Sequence, residues 1–169
     1  LRSLVGSEMC IRDSCYKGVR AACAIEYYAP GCSMDESQKN KRVDEARVLR
    51  AHFYYLLVNT FGGVPIVNEF VSAAATGYPK SSAADVYKYI ITDMEEVIAN
   101  NRLEKSTATK GGGRVSMESA HALLANIYLS AAWDLNESDY YNKAAQHADA
   151  AINNRKLATP FANLWKADR

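Results

Sequence analysis

The sequence predicts an all-α fold built from consecutive helices. Five segments carry apolar residues at the three- and four-residue spacing of an amphipathic helix, and no segment of any length shows the two-residue alternation of a strand. Glycine, proline or serine lies between these segments, where helices commonly end and begin. With 169 residues, 49% of them hydrophobic, the chain is long enough for about one domain with its own core.

The charge pattern excludes two classes of partner. Twenty basic and nineteen acidic residues give a net charge of +1, and like charges never form a long run. Binding to nucleic acid needs clustered positive charge, so neither a nucleic-acid interface nor a basic membrane patch is predicted. The apolar stretches are interrupted well before the ~20 residues of a transmembrane helix.

The first helix is predicted from Cys15 to about Tyr28, and the Pro30-Gly31 pair closes it. Residues 1–14, LRSLVGSEMCIRDS, have little periodicity and resemble the translated read-through of a sequencing-library adapter. We therefore expect a non-native leader at 1–14 and a helical domain over 15–169.

Four cysteines lie in the first fifth of the chain, at positions 10, 15, 23 and 32. They include no Cys-x-x-Cys pair and no histidine follows at zinc-finger spacing, so no metal site is predicted. Small buried thiols are the favoured interpretation, and a bridge between Cys23 and Cys32 is the alternative for an oxidising compartment.

The second helix is predicted within EARVLRAHFYYLLVNTFGGVPIV, which runs from Glu45 to Val67. The polar stretch before it is predicted to be a connection, with Asp44 as one candidate N-cap. Gly62 and Gly63 can adopt the left-handed conformation that ends a helix, and Pro65 cannot continue one.

Two arginines are the most informative charges of this second helix. Arg47 and Arg50 lie one turn apart on a helix that is predicted to be largely buried. Buried arginines need carboxylate or carbonyl partners, so the pair is predicted to pin adjacent helices.

The third helix is predicted from about Ala83 to Asn100, with Ser82 as its N-cap and Asp85 as the acidic partner of a capping box. The fourth is predicted from Ser116 to Trp133 and the fifth from about Ser138 to Asn153. Small residues in the last two match the tetratricopeptide pattern, in which two antiparallel helices approach closely, although the loop is too long for a regular repeat. A helical-repeat scaffold with enlarged loops is therefore predicted, an architecture that usually binds rather than catalyses.

The chain shows no catalytic constellation. Its three histidines fall in three different predicted helices, and neither a phosphate-binding glycine loop nor a nucleophile elbow is present. No enzyme activity and no cofactor are predicted. Aromatic rings can stack on the C–H faces of sugars, and Tyr78, Trp133 and Trp165, in or beside loops, are the candidates for ligand contact.

Taken together, the motifs resemble one family. EARVLRAHFYYLLVNTFGGVPIVNE closely resembles the signature of the SusD/RagB family, a Glu-Ala-Arg-x-Leu-Arg-Ala helix that runs through aromatics into a Phe-Gly-Gly-Val-Pro-Leu turn. CYKGVRAACAIEYY, SSAADVYKYIITDMEEVIAN and GRVSMESAHALLANIYLSAA are similar to further helices of the family in the same order, and NRKLATPFANLWKADR is similar to the segment after them.

The resemblance implies a tetratricopeptide-type scaffold in a lipid-anchored, surface-exposed protein of the outer membrane of a Gram-negative bacterium. Such proteins bind glycans or other nutrients and act as a lid on a SusC-like, TonB-dependent transporter, without catalysis. The family's anchor cysteine and its long carboxy-terminal half have no counterpart here, so we expect an internal, truncated fragment, and no ligand residue can be transferred. The alternative function is a helical-repeat scaffold for protein–protein interaction without a small-molecule ligand.

Overall fold

Five α-helices follow one another in the computed structural model, which describes residues 2–70, 77–105 and 113–153. They are α1 (Arg2–Tyr28), α2 (Glu36–Phe61), α3 (Ala83–Asn100), α4 (Met117–Leu135) and α5 (Asp139–Ile152), with a short 3-10 turn at Ala29–Gly31 after α1. Over those described ranges there is no β-strand, and the prediction of an all-α fold is confirmed.

Each helix packs antiparallel against the next one along the chain. The helices α2 and α3 run in opposite directions. Asp44 near the start of α2 contacts Asn100 at the end of α3, and Asn59 near the end of α2 contacts Tyr87 near the start of α3. The helices α4 and α5 are antiparallel as well. Because the direction alternates from helix to helix, the carboxyl ends of α2 and α4 lie at the same end of the stack. None of the helices in the described part of the chain is long and apolar enough to cross a bilayer.

The starts of the last three helices agree with the sequence prediction. The Ser82 side chain accepts a hydrogen bond from the amide of Asp85, whose carboxylate accepts one from the Ser82 amide, which forms the capping box of α3. Ser116 and Ser119 cap α4 in the same reciprocal way. The capping serines therefore mark the starts of α3 and α4 to within one residue, and the start of α5 agrees equally well although Ser138 makes no side-chain cap hydrogen bond.

The predicted start of α2 was wrong. The helix begins at Glu36, where the carboxylate of Asp35 accepts a hydrogen bond from the Ser37 amide at 3.0 Å, so Asp35 is the N-cap. Asp44 is fully buried inside the helix. The polar stretch is helical because other parts of the chain supply partners for its charged side chains: Glu104 for Lys41, Asn100 for Asp44 and Arg114 for Glu45.

The predicted start of α1 at Cys15 was also wrong, because the helix already begins at Arg2 and contains no proline that would break it. The assignment of residues 1–14 as a non-native leader stays a prediction. All four cysteines are free thiols, with Cys15 and Cys23 in the core and Cys10 and Cys32 exposed. The preference for buried thiols therefore holds for only two of them.

The chain turns sharply after α2, and its two glycines have different roles. Gly62 has a φ of +68°, which an L side chain rarely adopts, and its amide closes the helix on the carbonyl of Val58. Gly63 does not lie in the left-handed region, contrary to the prediction. A Cβ at Gly63 would instead lie 2.2 Å from the carbonyl oxygen of Ser81, so glycine is required there for close approach of the backbone.

Two tyrosines, Tyr54 in the core and the half-buried Tyr16, hold the segment after this turn against the helices. The Tyr16 hydroxyl donates to the carbonyl of Pro65 at 2.8 Å. The Tyr54 hydroxyl accepts from the amide of Val67 at 2.7 Å and lies 3.2 Å from its carbonyl oxygen. The segment is therefore fixed although it belongs to neither a helix nor a strand.

A buried ion cluster joins the first three helices. On α2, Arg50 contacts Asp93 of α3 at 2.8 Å and also pairs with Glu26 of α1. Arg47 donates to Asp93 and to Glu96 of α3, both at 2.6 Å. Both side chains of the Arg50–Asp93 pair are 5% exposed, so water contributes little to their solvation.

The neighbouring carboxylates raise the pKa values of these two arginines. Burial acts to lower the pKa of Arg50, but the adjacent Asp93 and Glu26 outweigh it and raise that pKa above its ordinary value. The pKa of Arg47 is raised in the same way by Glu96 and Asp93. Arg47 and Arg50 therefore stay fully charged and act as structural links between helices.

A histidine pair joins α4 to α5. The Nδ1 atoms of His121 and His147 lie 3.0 Å apart, so one ring donates a hydrogen bond to the other. The ring of His147 also stacks on that of Tyr128. Burial lowers the pKa of His121 against an opposing effect of Glu118. Burial and the His121 charge lower the pKa of His147, assisted by Lys143 and opposed by Glu95.

The close approach at Gly63 predicts that Gly63→Ala destabilises the protein by about 1–3 kcal/mol, since its methyl group would displace backbone. Gly31→Ala is the matched control, because a Cβ at Gly31 meets no atom within 4 Å. Urea denaturation followed by circular dichroism measures both variants. Equal stability of the two would contradict the packing role of Gly63.

The ion cluster predicts that Asp93→Asn lowers the free energy of unfolding by about 3 kcal/mol or more, because two arginines lose a buried counter-charge. Glu96→Gln removes a carboxylate whose side chain is 59% exposed and is expected to cost less than about 1 kcal/mol. The same denaturation experiment compares them, and a loss for Asp93→Asn no larger than that for Glu96→Gln would contradict the assignment.

The histidine pair predicts a loss of stability on acidification. Both pKa values are lowered in the folded state, so the unfolded chain binds more protons and stability falls as the pH drops below the ordinary value of 6.5. His147→Phe removes one of the two titrating imidazoles, and its melting temperature should fall less than that of the wild type between pH 7 and pH 5. Parallel pH profiles for the two proteins would refute this.

Candidate functional site

The three aromatic residues predicted to contact a ligand lie in different places. Trp133 lies in the last turn of α4, and its side chain is 80% exposed. Tyr78 is exposed in the segment that precedes α3. Trp165 lies outside the described residues. Of the three, Trp133 is the one that the structure places beside a groove with polar walls.

The groove beside Trp133 has a volume of about 350 Å³ and is formed by three helices. The residues that line it are Asn59 from α2, Leu129, Ser130, Trp133 and Asp134 from α4, and Tyr141 from α5. Tyr78 does not line it. The groove exists because antiparallel packing brings the carboxyl ends of α2 and α4 beside the first turn of α5.

Helical geometry explains why Trp133 points away from the core. Ile127, Tyr128 and Ala131 form the buried face of α4. Leu129 and Trp133 are four residues apart, so they share another face of the helix, and both are exposed. The helix therefore has one apolar face for packing and a second, shorter one that the rest of the described chain leaves open.

A hydrogen-bond network fixes the polar wall of the groove. The hydroxyl of Tyr87, whose ring is fully buried, donates to Asp134 at 2.5 Å and lies 3.4 Å from the side-chain oxygen of Asn59. Burial and the Asp134 carboxylate raise the pKa of Tyr87, so its hydroxyl remains protonated. The Tyr55 hydroxyl lies 3.2 Å from that of Ser130. The carboxylate and the amide are thus held in place from the protein side.

The arrangement suits binding rather than reaction. Trp133 and Tyr141 offer exposed ring surface, while Asp134 can accept and Asn59 can both donate and accept hydrogen bonds. Among the described residues, no histidine, cysteine or lysine lines the groove, and the Ser130 hydroxyl lies beside that of Tyr55. A cluster of three or more metal-ligating side chains is also absent from the part of the chain that the structure describes.

The sequence analysis identified Trp133 but missed the polar residues around it. Asp134 directly follows Trp133, and Asn59 lies in the last turn of α2, so both carry a signal only once the two helix ends are known to meet. Tyr141, which is 44% exposed, was not singled out as a candidate either.

Comparison with known proteins identifies the family of the chain. The family model of SusD-like proteins, described as starch-binding and associating with the outer membrane, matches residues 10–129. The matched region contains α2 and α3 and extends through most of α4. The motifs that resemble the SusD/RagB family lie mainly within it.

Individual relatives agree with this match. The SusD-like protein P2 of Formosa agariphila is 30% identical over 145 residues, which cover 80% of this chain and 26% of that protein. Among solved structures, the surface glycan-binding protein A of Bacteroides uniformis superposes with a TM-score of 0.76 at 25% identity and covers 93% of this chain and 35% of its own. A laminarin-binding SusD-like protein superposes with a TM-score of 0.67 at 29% identity. The superposition covers 83% of this chain and 28% of that protein.

The chain spans about a quarter of the length of the curated relatives that it matches. The family match nevertheless runs over more than half of the chain itself, and the superposition on the Bacteroides uniformis protein covers 93% of it. The chain belongs to the family of SusD-like proteins.

Proposed function

We propose that this chain is part of a cell-surface protein that binds a glycan and delivers it to a SusC-like, TonB-dependent transporter of the outer membrane. The observation that carries the proposal is the groove at Trp133, where exposed ring surface lies beside a fixed carboxylate and amide. Membership of a starch-binding family supports it, as does the similarity to a surface glycan-binding protein and a laminarin-binding protein.

The proposed activity is binding without catalysis. Sugars combine apolar C–H faces with many hydroxyl groups, so a site for them needs ring surface and hydrogen-bonding groups together. The groove supplies both, and it holds no acid–base pair that could cleave a glycosidic bond. The named relatives are described by what they bind, which is consistent with this role.

Membership of the family supports the location and the partner that we propose. Association with the outer membrane is part of the family description. We propose in addition that the protein is a surface-exposed lipoprotein, held by a lipid anchor, and that its partner is the transporter. Among the predicted contacts, Trp133 is the one that we propose to touch the glycan, and Tyr78 and Trp165 stay predictions.

Native gels cast with starch or with laminarin test the proposal. The 169-residue chain should migrate more slowly in at least one of them than in a gel without polysaccharide, because binding to an immobile polymer retards it. A protein of similar size without affinity for sugars corrects for the sieving effect of the polymer. Unchanged migration in every gel, for a chain that circular dichroism shows to be helical, would overturn the proposal.

A further inference from the structure

The groove at Trp133 has features that folding of the described residues does not explain. The indole is 80% exposed and Leu129 is 51% exposed, although the core face of α4 is already complete. Exposed apolar surface with a polar rim commonly marks a binding site. Tyr141 continues this surface from α5, so the ring surface spans two helices.

The polar rim is organised to receive hydroxyl groups. Tyr87 donates to one oxygen of Asp134, and a carboxylate can accept about four hydrogen bonds, so Asp134 retains most of its accepting capacity. The Asn59 amide donates one hydrogen bond to the carbonyl oxygen of Tyr55 at 2.8 Å, which leaves its second N–H. An acceptor and a donor side by side match two neighbouring hydroxyls of a sugar ring.

The charge around the groove is negative. Among the described residues, Asp134 is the one charged residue that lines it, and neither lysine nor arginine is in the lining. The carboxyl ends of α2 and α4, which carry partial negative charge, lie at the groove. The first turn of α5 would favour an anion, but it carries Asp139, which offsets the partial positive charge of that helix end.

The size of the groove sets a limit on the ligand. Its volume of about 350 Å³ is at the low end for small-molecule sites, which span roughly 300–1,000 Å³. A longer glycan therefore extends beyond it, and the groove serves as one subsite for a terminal or internal ring.

We infer that the groove formed by Trp133, Tyr141, Asp134 and Asn59 is a subsite for a neutral pyranose ring and that it rejects rings bearing a carboxylate or sulfate. The inference rests on the proposed function, because it names the class of sugar that the proposed glycan site accepts. The ring stacks on Trp133, and two adjacent hydroxyls bind Asp134 and Asn59. A negatively charged ring is repelled by the Asp134 carboxylate.

Isothermal titration calorimetry of the 169-residue chain with maltohexaose, laminarihexaose and hexagalacturonate tests this inference. At least one neutral hexamer should bind, and hexagalacturonate should bind about tenfold more weakly or not detectably, because each charge near a carboxylate is unfavourable. Trp133→Ala should weaken the neutral hexamer about tenfold or more. Tyr27→Ala, which removes another strongly exposed aromatic ring, is the matched control and should leave the affinity unchanged.

Asp134→Asn removes the negative charge of the groove while keeping the size of the side chain, so it tests the effect of charge alone. The neutral hexamer should lose several-fold in affinity, since a charged acceptor becomes a neutral one, whereas hexagalacturonate should bind at least as well as it does to the wild type. Circular dichroism of all three variants checks that the helices are intact, which is expected because the three substituted side chains are exposed.

The outcomes distinguish this inference from the proposed function. Neutral binding that survives Trp133→Ala would overturn the subsite and leave the proposed function standing. Hexagalacturonate binding as tight as the neutral hexamer, and lost in Trp133→Ala, would overturn the charge selection. Failure of all three sugars and of both polysaccharide gels would overturn the subsite together with the proposed function.

Discussion

The buried ion cluster of α2 is the interaction on which the rest of the arrangement depends. Arg50 contacts carboxylates of both α1 and α3, and Arg47 adds a second link to α3. Charged side chains in such a site tolerate few geometries, because an unpaired buried charge is strongly unfavourable. The cluster therefore fixes both the neighbours of α2 and the direction in which they run.

The position of the groove is a consequence of this alignment. When α1 and α3 run antiparallel to α2, the carboxyl end of α2 lies beside the amino end of α3, where Tyr87 reaches Asn59 and Asp134. The next antiparallel step brings Trp133 and then Tyr141 to the same end. The ion pairs lie toward the middle of α2 and the groove at its carboxyl end, so the charges that hold the stack are separate from the groups that line the groove.

The sequence predicted most helix boundaries because local chemistry sets them. Ser82 with Asp85, Ser116 and the Gly62 break act within a few residues, and the structure has them close to where the pattern indicated. The predicted starts of the first two helices were wrong because the local sequence pattern did not indicate a helix there. The charged stretch from Glu36 to Glu45 resembles a loop until its partners on other segments are known.

By itself the sequence determined the helical class, the capping residues and the motifs that indicate the family, since each depends on spacing within one segment. It also marked Trp133 as a candidate, because an indole at a helix end has no place in the apolar stripe. Only the tertiary structure decided which residues surround that indole. Asn59, Asp134 and Tyr141 come from three helices, and their proximity follows from long-range packing that no local pattern encodes.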